Sequence, residues 1–352
     1  MKKVLIVYNK IFPYRVPIFN LLAKEFDLTV TYSLGNSYNG RMDFNLMKLP
    51  VKKYNRFVVH KGSLYKLAQN FDVVIGYGDI SWLSIMKLMF KSNRKYKVIL
   101  WGIGLRASYK TRYGDRTIWD HVRYYLMGKS DAILFYSKEP IPLYLEQGFT
   151  KKKLFVADNT VKVLQSKITP DKSSIVFIGT LYRQKKIYNL LESYHAVKQK
   201  VDNVPILNII GDGDEYTNIM NWINRHQYQN CIKLKGKIFD EEVLCEYFEK
   251  AIACISPGQA GLSVLKSMGY GVPFITKENA ITGGEIFNIE HNISGVLYKE
   301  DEELENIIKD ICYNKSKYIE MGLNAKIYYE KYRRPEHMVL GMKKAIEFVL
   351  QN

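Results

Sequence analysis

Short apolar runs recur along the chain, each followed by a segment whose apolar positions return every three or four residues. Val4–Tyr8, Leu28–Tyr32, Asp72–Tyr77, Lys97–Trp101, Ala132–Tyr136 and Leu154–Ala157 read as buried strands. Ile18–Phe26, Leu64–Asn70, Asp79–Phe90, Arg116–Met127 and Pro140–Gln147 read as the helices between them. Residues 34–56 are turn-rich and basic, and no element is assigned there. Val161–Ser174 (VKVLQSKITPDKSS) has no clear period and carries a proline, so it reads as a linker. The pattern then restarts. Strands are expected at Ser174–Ile178, Pro205–Ile210, Cys231–Leu234, up to Ile255, at Val272–Thr276 and near Gly295–Tyr298. Helices are expected at Ile187–Lys198, Tyr216–His226, Glu241–Lys250, from about Gly261, and over 301–313, 314–331 and 335–351. Strand–helix alternation of this kind means α/β architecture with parallel sheets and helices on both faces. Its repetition predicts two doubly wound, Rossmann-like domains facing across a cleft, with the carboxyl ends of both sheets turned towards the ligand.

The most informative stretch is Ile255–Glu285, ISPGQAGLSVLKSMGYGVPFITKENAITGGE. A strand ends at Ile255, Pro257-Gly258 turns the chain, and Leu262, Leu265 and Met268 share one helical face. Glycines at 258 and 261 let a ligand approach the backbone. The helix start then offers free N–H groups and a positive dipole end, which suit an anion such as a diphosphate. An ordinary strand–turn–helix crossover has the same appearance.

Composition bounds the rest. The chain has 352 residues, 47% hydrophobic and 25% charged, as in soluble globular proteins. No apolar run reaches the length of a membrane span, and MKKVLIVYNKIF is too short and too soon polar for a signal peptide. Cys231, Cys245, Cys254 and Cys312 lack metal-ligand spacing and read as reduced core residues of a cytosolic protein. The net charge of +17 is one-sided: residues 1–165 hold 28 Lys/Arg and 11 Asp/Glu, whereas residues 166–352 hold 24 of each. The first half is therefore expected to face a polyanion or an anionic membrane surface. Asp79–Phe90, an apolar run before Lys91-Ser92-Asn93-Arg94-Lys95, suits either a helix on such a membrane or a core helix. His60, among basic residues, reads as a surface histidine.

Several motifs lie in order across the second half. They are Phe177-Ile178-Gly179-Thr180-Leu181 followed by Lys185, Ile209-Ile210-Gly211-Asp212-Gly213, Leu234-Lys235-Gly236-Lys237-Ile238, Pro257–Pro273, and Gly283-Gly284-Glu285-Ile286. Together they resemble the family 4 glycosyltransferases of the GT-B fold. Pro13-Tyr14-Arg15-Val16-Pro17, Trp101-Gly102-Ile103-Gly104 and Asn159-Thr160-Val161 are similar to the branch acting on bacterial surface polysaccharides. The resemblance implies an acceptor-binding domain at 1–165, a nucleotide-sugar-binding domain at 166–335, and a C-terminal helix at 336–352 packing back towards the first. It implies sugar transfer from a nucleotide-sugar to a saccharide acceptor, with no metal and no cofactor. Lys185 and helix N-termini would stabilise the leaving diphosphate.

The residues expected to hold the donor are Gly179, Thr180, Arg183, Lys185, Gly211, Ile238, Gly258, Gln259, Ala260, Gly261, Leu262, Ser263 and Glu285. Asp79 is a candidate general base, with a helix N-cap as its plainer reading; Glu285 is a candidate for the sugar or ribose hydroxyls, or a helix-start acid. Tyr14 and Arg15 are candidates for acceptor contact. Four positions depart from the family pattern. Thr180 stands where an arginine is usual, Gly258 and Lys266 where two glutamates are usual, and Ile103 where a histidine is common. Arg183 or Lys186 is expected to reach the phosphate in place of the missing arginine.

The resulting expectation is a cytoplasmic enzyme, peripheral at the inner face of the membrane through its basic half. It would act on a lipid-linked acceptor in surface-polysaccharide assembly. The alternatives are a non-catalytic relative that binds nucleotide or glycan, and, on charge alone, a nucleic-acid binder; the absence of an aromatic RNA platform argues against nucleic acid.

Overall fold

The computed structural model describes residues 1–36, 38–105, 114, 117–166, 169 and 171–352. The described residues form two compact units: one runs to Val161 and includes Arg334–Asn352, and the other is Lys162–Arg333.

In the first unit, strands β1 (Lys3–Ile6), β2 (Asp27–Tyr32), β3 (Asn45–Lys48), β6 (Val73–Tyr77), β7 (Lys97–Gly102), β8 (Ala132–Phe135) and β9 (Leu154–Val156) make one all-parallel sheet. Its order is β9-β8-β7-β6-β1-β2-β3. The inner strands are continuous apolar runs because helices cover both faces. Between β3 and β6 lies an antiparallel hairpin, β4 (Val51–Tyr54) and β5 (Phe57–His60), which turns at Asn55 with a positive φ.

The helices are α1 (Val16–Ala23), α2 (Leu64–Ala68), α3 (Leu83–Leu88), α4 (Trp119–Met127) and α5 (Ile141–Glu146). The C-terminal helix α12 (Pro335–Gln351) completes this unit. Met338, Met342, Ala345, Ile346 and Val349 form its inner stripe, packed with the core of β1 and α1. Gly341 lets α12 approach the chain after β9. A Cβ there would fall 2.8 Å from Ala157 Cα and closer still to the Val156 carbonyl oxygen.

In the second unit, β10 (Ser174–Ile178), β11 (Ile206–Ile210), β12 (Ile232–Leu234), β13 (Ala251–Ile255), β14 (Phe274–Lys277) and β15 (Gly295–Tyr298) form a parallel sheet in the order β12-β11-β10-β13-β14-β15. This is the doubly wound order of a dinucleotide-binding fold, with its switch point between β10 and β13. The connecting helices are α6 (Ile187–Lys198), α7 (Tyr216–Arg225), α8 (Glu241–Glu249) and α9 (Leu262–Gly269), followed by α10 (Glu303–Tyr313) and α11 (Lys315–Tyr332). α6 buries Ile187, Leu190, Leu191, Tyr194 and Val197 at helical spacing, and Asp240 caps α8 by accepting from Glu242 N at 2.8 Å.

One expectation is corrected, and two stretches left open by the sequence are resolved. His60 is buried rather than on the surface, because β5 alternates and turns Val58 and His60 inward. Neither of its ring nitrogens has a partner, and burial pushes the imidazole down to about 4. The run 80–90 is a core helix: Trp82, Ile85, Met86, Leu88 and Met89 are buried under the sheet. Residues 34–56 supply an edge strand and half of a hairpin. The expected helix start Arg116, and Lys167, Ile168 and Pro170 of the expected linker, lie outside the described residues. No helix among the described residues is long and apolar enough to cross a membrane.

Gly341→Val should destabilise the protein by about 2 kcal/mol, the usual cost of overpacking. Leu340→Ser, on the exposed side of the same helix, should stay within about 0.5 kcal/mol of wild type. Urea denaturation of both variants checks this.

Candidate functional site

The carboxyl edge of the second sheet is stitched backbone to backbone. Ile178 and Ile210 pair at the last rung, so β10 and β11 leave the sheet at one level. Gly179 N donates to Ile210 O at 3.0 Å, Leu181 N to Asp212 O at 2.9 Å, and Gly211 N to Gly236 O at 2.8 Å. A Cβ on Gly211 would fall 3.0 Å from the Gly179 carbonyl carbon and closer to its oxygen, so only glycine permits this crossing. The loops after β10 and β13 diverge at the switch point, and a backbone bond rejoins them: Gly258 N donates to Lys185 O at 3.1 Å. A side chain on Gly258 would start 2.7 Å from the Lys185 carbonyl carbon and closer to Gln184 O. The absence of a side chain at 258 and the close seat of the Arg183–Lys185 turn are therefore one feature.

That turn buries a charge. Lys185 is 6% exposed, and a Cβ on Gly179 would lie 3.0 Å from its Nζ. No carboxylate pairs with it among the described residues. Burial lowers its pKa to about 8, opposed only by the Cys254 thiol beneath, which is itself pushed up to about 12 by burial. The ammonium is thus still protonated near neutral pH, in a setting that lacks a counter-anion.

α9 begins a few residues beyond Gly258 and has a bare start. Its N-cap Gly261 offers no side-chain cap, and its first turn carries no acid. The amides of Leu262 and Ser263 have no intrahelical acceptor, and Ser263 Oγ is buried without a partner. The approach is braced from behind. Ser256 Oγ donates to Gln259 O at 2.9 Å, Ile281 N to Gly258 O at 3.0 Å, Gln259–Ala260 pairs with Ile281–Thr282, and Tyr182 OH meets Gln259 Oε1. A buried cation and a bare helix N-terminus on one stitched edge are the features an anion site requires.

The other candidates of this unit fall around it. Thr180 and Arg183 are exposed, as is Lys186, which caps α6 in a left-handed conformation; Ile238 is half-buried beside exposed Phe239. Glu285 is buried in the turn Glu285–Asn288, and its Oε2 accepts from Gly283 N at 2.9 Å and Thr282 Oγ1 at 3.4 Å. Lys266 is paired with Glu241 at the start of α8, and Tyr270 OH donates to the same carboxylate at 3.1 Å. Lys266 is thereby held as a strut between helices.

In the first unit, Asp79 is exposed and its Oδ1 accepts from Ser81 N at 2.9 Å, which closes the turn after β6. Tyr14 is half-buried and stacks on Phe12 with centroids 5.3 Å apart. Arg15 is 3% exposed, with its guanidinium against the rings of Tyr136 (5.2 Å), Tyr14 (5.3 Å) and Trp101 (5.4 Å). It donates to Asn159 Oδ1 at 2.8 Å and to Met338 Sδ at 3.4 Å, while its Nε and the indole Nε1 of Trp101 are buried without partners. The sequence supplies these residues in separate motifs; their convergence on one guanidinium follows from the parallel strands ending at one edge.

Residues 159–328 match the family model described as Glycosyl transferases group 1. No curated protein sequence matches the chain. Among solved structures, Anabaena Alr3699/HepE in complex with UDP superposes with a TM-score of 0.73 at 14% identity, covering 98% of this chain and 99% of that one. A variant of S. aureus TarM, solved with UDP, fondaparinux and an α-GlcNAc-glycerol, gives 0.70 at 13% identity over 99% and 100%. The lipopolysaccharide outer core galactosyltransferase WaaB gives 0.65 at 15% identity over 98% and 99%. The fold is that of the GT-B glycosyltransferases, with two Rossmann-like domains.

The pKa of Lys185 fixes the sign of a pH effect. Folding lowers it from 10.5 to about 8, so the unfolded chain holds this proton more tightly. The cost is fully present below about pH 8 and fades as the pH rises towards 10.5. Between these limits wild type should gain on the order of 2 kcal/mol relative to Lys185→Met. Urea melts of both proteins across this range read the difference.

Proposed function

We propose that the protein transfers a sugar from a nucleotide-sugar to a saccharide acceptor, and that the edge formed by Lys185 and the start of α9 holds the donor diphosphate. The observation that carries this reading is the buried, unpaired ammonium of Lys185 on the same stitched edge as a bare helix N-terminus. Support comes from the group 1 glycosyltransferase match over the segment that contains both. HepE, a structural relative, has been solved with UDP-glucose.

Breaking the glycosidic bond leaves charge on the departing diphosphate. Lys185 meets that charge from a low-dielectric seat, where a fixed cation acts more strongly than in water. The free amides of Leu262 and Ser263 and the Ser263 hydroxyl supply further donors without reorganisation. Gly179 and Gly211 let phosphate oxygens approach the backbone, and Ile238 is proposed to lie against the base. Arg183, exposed on the turn that seats Lys185, is the cation for the outer phosphate. Glu285, already oriented by Gly283 N and Thr282, is the acceptor proposed for sugar or ribose hydroxyls. Asp79 is proposed as the base that takes the acceptor proton, with Tyr14 and Arg15 on the acceptor side. The acceptor is proposed to be a lipid-linked saccharide of bacterial surface-polysaccharide assembly, handled at the cytoplasmic face of the membrane, and transfer needs no metal.

A second reading draws on Gly258 and Lys266. The first position is closed to any side chain and the second is tied to Glu241, so neither supplies the carboxylate the resemblance expects. On that reading the protein binds a nucleotide-sugar and does not turn it over.

UDP-, GDP-, dTDP- and CMP-sugars separate the readings. One nucleotide family should raise the melting temperature, and Lys185→Ala should abolish the shift. Turnover of that donor should survive EDTA and fall by about 100-fold or more in Lys185→Ala. A shift without turnover selects the binding protein, and no shift with any donor defeats the diphosphate site.

A further inference from the structure

Helix α4 has two apolar faces. One packs inward: Met127 is buried, and the Tyr124 ring meets Tyr144 at 5.2 Å and Phe149 at 6.2 Å. The other has no cover. Ile118, Trp119, Val122 and Tyr125 are 83%, 51%, 43% and 61% exposed. At the pitch of an α-helix, these four positions fall within an arc of about 120°. The acid of this helix, Asp120, sits off that arc and pairs with Arg123 at 3.2 Å.

Cations bracket the arc. At one end the hairpin tip reaches it, with the Arg56 guanidinium 4.6 Å from the Trp119 ring centroid. At the other, Lys129 Nζ lies 4.9 Å from the Tyr125 ring centroid. The hairpin itself exposes Lys52, Lys53 and Tyr54. Residues 44–71, which include the hairpin, hold six Lys/Arg and no Asp or Glu.

We propose that this face docks on an anionic lipid bilayer surface, with Ile118, Trp119, Val122 and Tyr125 entering the boundary between headgroups and acyl chains and Arg56, Lys52, Lys53 and Lys129 on lipid phosphates. An apolar helix arc flanked by cations, with amphipathic Trp and Tyr between, matches the two layers of that surface. A second copy of this chain fits poorly. A two-fold contact through the same arc would bring its Arg56 and Lys129 against those already there, with no carboxylate on the arc to receive them. The surface lies in the basic unit and does not rest on the donor reading. It also places membrane contact on α4 and the hairpin, while α3 belongs to the core.

The test uses wild-type protein first. Of the four tryptophans, Trp82, Trp101 and Trp222 are buried and Trp119 is half exposed. Vesicles of phosphatidylcholine with about one third phosphatidylglycerol should float the protein, and pure phosphatidylcholine should not. Brominated acyl chains should quench part of the tryptophan emission, and Trp119→Phe should remove that quenching. Lys52→Gln with Lys53→Gln should weaken binding about 30-fold, since each surface charge contributes about fivefold. Val122→Ser with Tyr125→Ser should weaken it at least about tenfold. Both pairs are exposed, so melting temperatures should stay at the wild-type value.

The proposal is overturned if wild type does not float, if it floats without Trp119 quenching, or if both double variants bind as wild type does. Dimerisation abolished by Val122→Ser with Tyr125→Ser, in place of vesicle binding, would assign the arc to a second copy. Lys185→Ala should float like wild type, so failure of the donor site and failure of this surface are read separately.

Discussion

An ammonium buried without a counter-anion is the constraint on which the second unit depends. Isolated charges are expensive to remove from water, and Lys185 meets that cost with a pKa lowered to about 8 and no partner carboxylate. Such a position survives only if the surroundings cannot relax around it. Here they cannot: the turns after β10, β11, β12 and β13 are joined through Gly179, Gly211, Gly236 and Gly258 by backbone hydrogen bonds. Rigidity and destabilisation belong together in this edge. The low dielectric that makes the charge costly also makes its attraction for an anion strong.

Much of this was legible in the sequence, and for identifiable reasons. The strands of the second unit are continuous apolar runs broken by glycine, so their order and the position of Lys185 before α6 could be read directly. What could not be read is the depth of Lys185. That depends on Gly258 arriving from a distant strand, and local sequence carries no sign of the encounter. Asn45–Lys48 is an exposed edge strand without a buried alternating face, which is why no element could be assigned there. His60 follows a different logic. β4 exposes Lys52 and Lys53 in succession, whereas β5 alternates and turns His60 in with Val58. The run 80–90 was ambiguous because a buried crossover helix and an interfacial helix share one hydrophobic period; tertiary packing decided for the core. α4 shows the converse, since apolar residues that periodicity would send inward stand exposed beside cations.

Charge divides between the halves in a way that matches these roles. Residues 166–352 are neutral in sum, and several of their lysines are paired: Lys266 with Glu241, Lys277 with Asp301, Lys317 with Asp310 and Lys200 with Glu305. The exposed pairs among these contribute little stability, but balanced charge leaves the surface without a field of one sign. On the proposed reading, an anion would then meet Lys185 only at contact range. Residues 1–165 carry the whole excess of +17, spread over exposed lysines and arginines. A diffuse field of that kind suits an extended anionic surface, with a reach of about 8 Å at physiological salt.

The departures at 258 and 266 are best understood as one rearrangement. A glutamate at 258 would need the space that the Lys185 turn occupies, so a carboxylate there and the present burial of Lys185 exclude each other. Position 266, a lysine held by Glu241, adds no acceptor in exchange. Compared with the acid-bearing pattern the edge is more positive and has fewer carboxylates for sugar hydroxyls. On the proposed reading, electrostatics would therefore shift donor recognition towards the diphosphate. Discrimination among sugars would then fall to Glu285, which its own loop already orients, and to the shape of the edge. Carboxylates opposite a diphosphate would oppose its binding as well as orient the sugar, and on the proposed reading Lys185 and the start of α9 would act on the phosphates without that opposition.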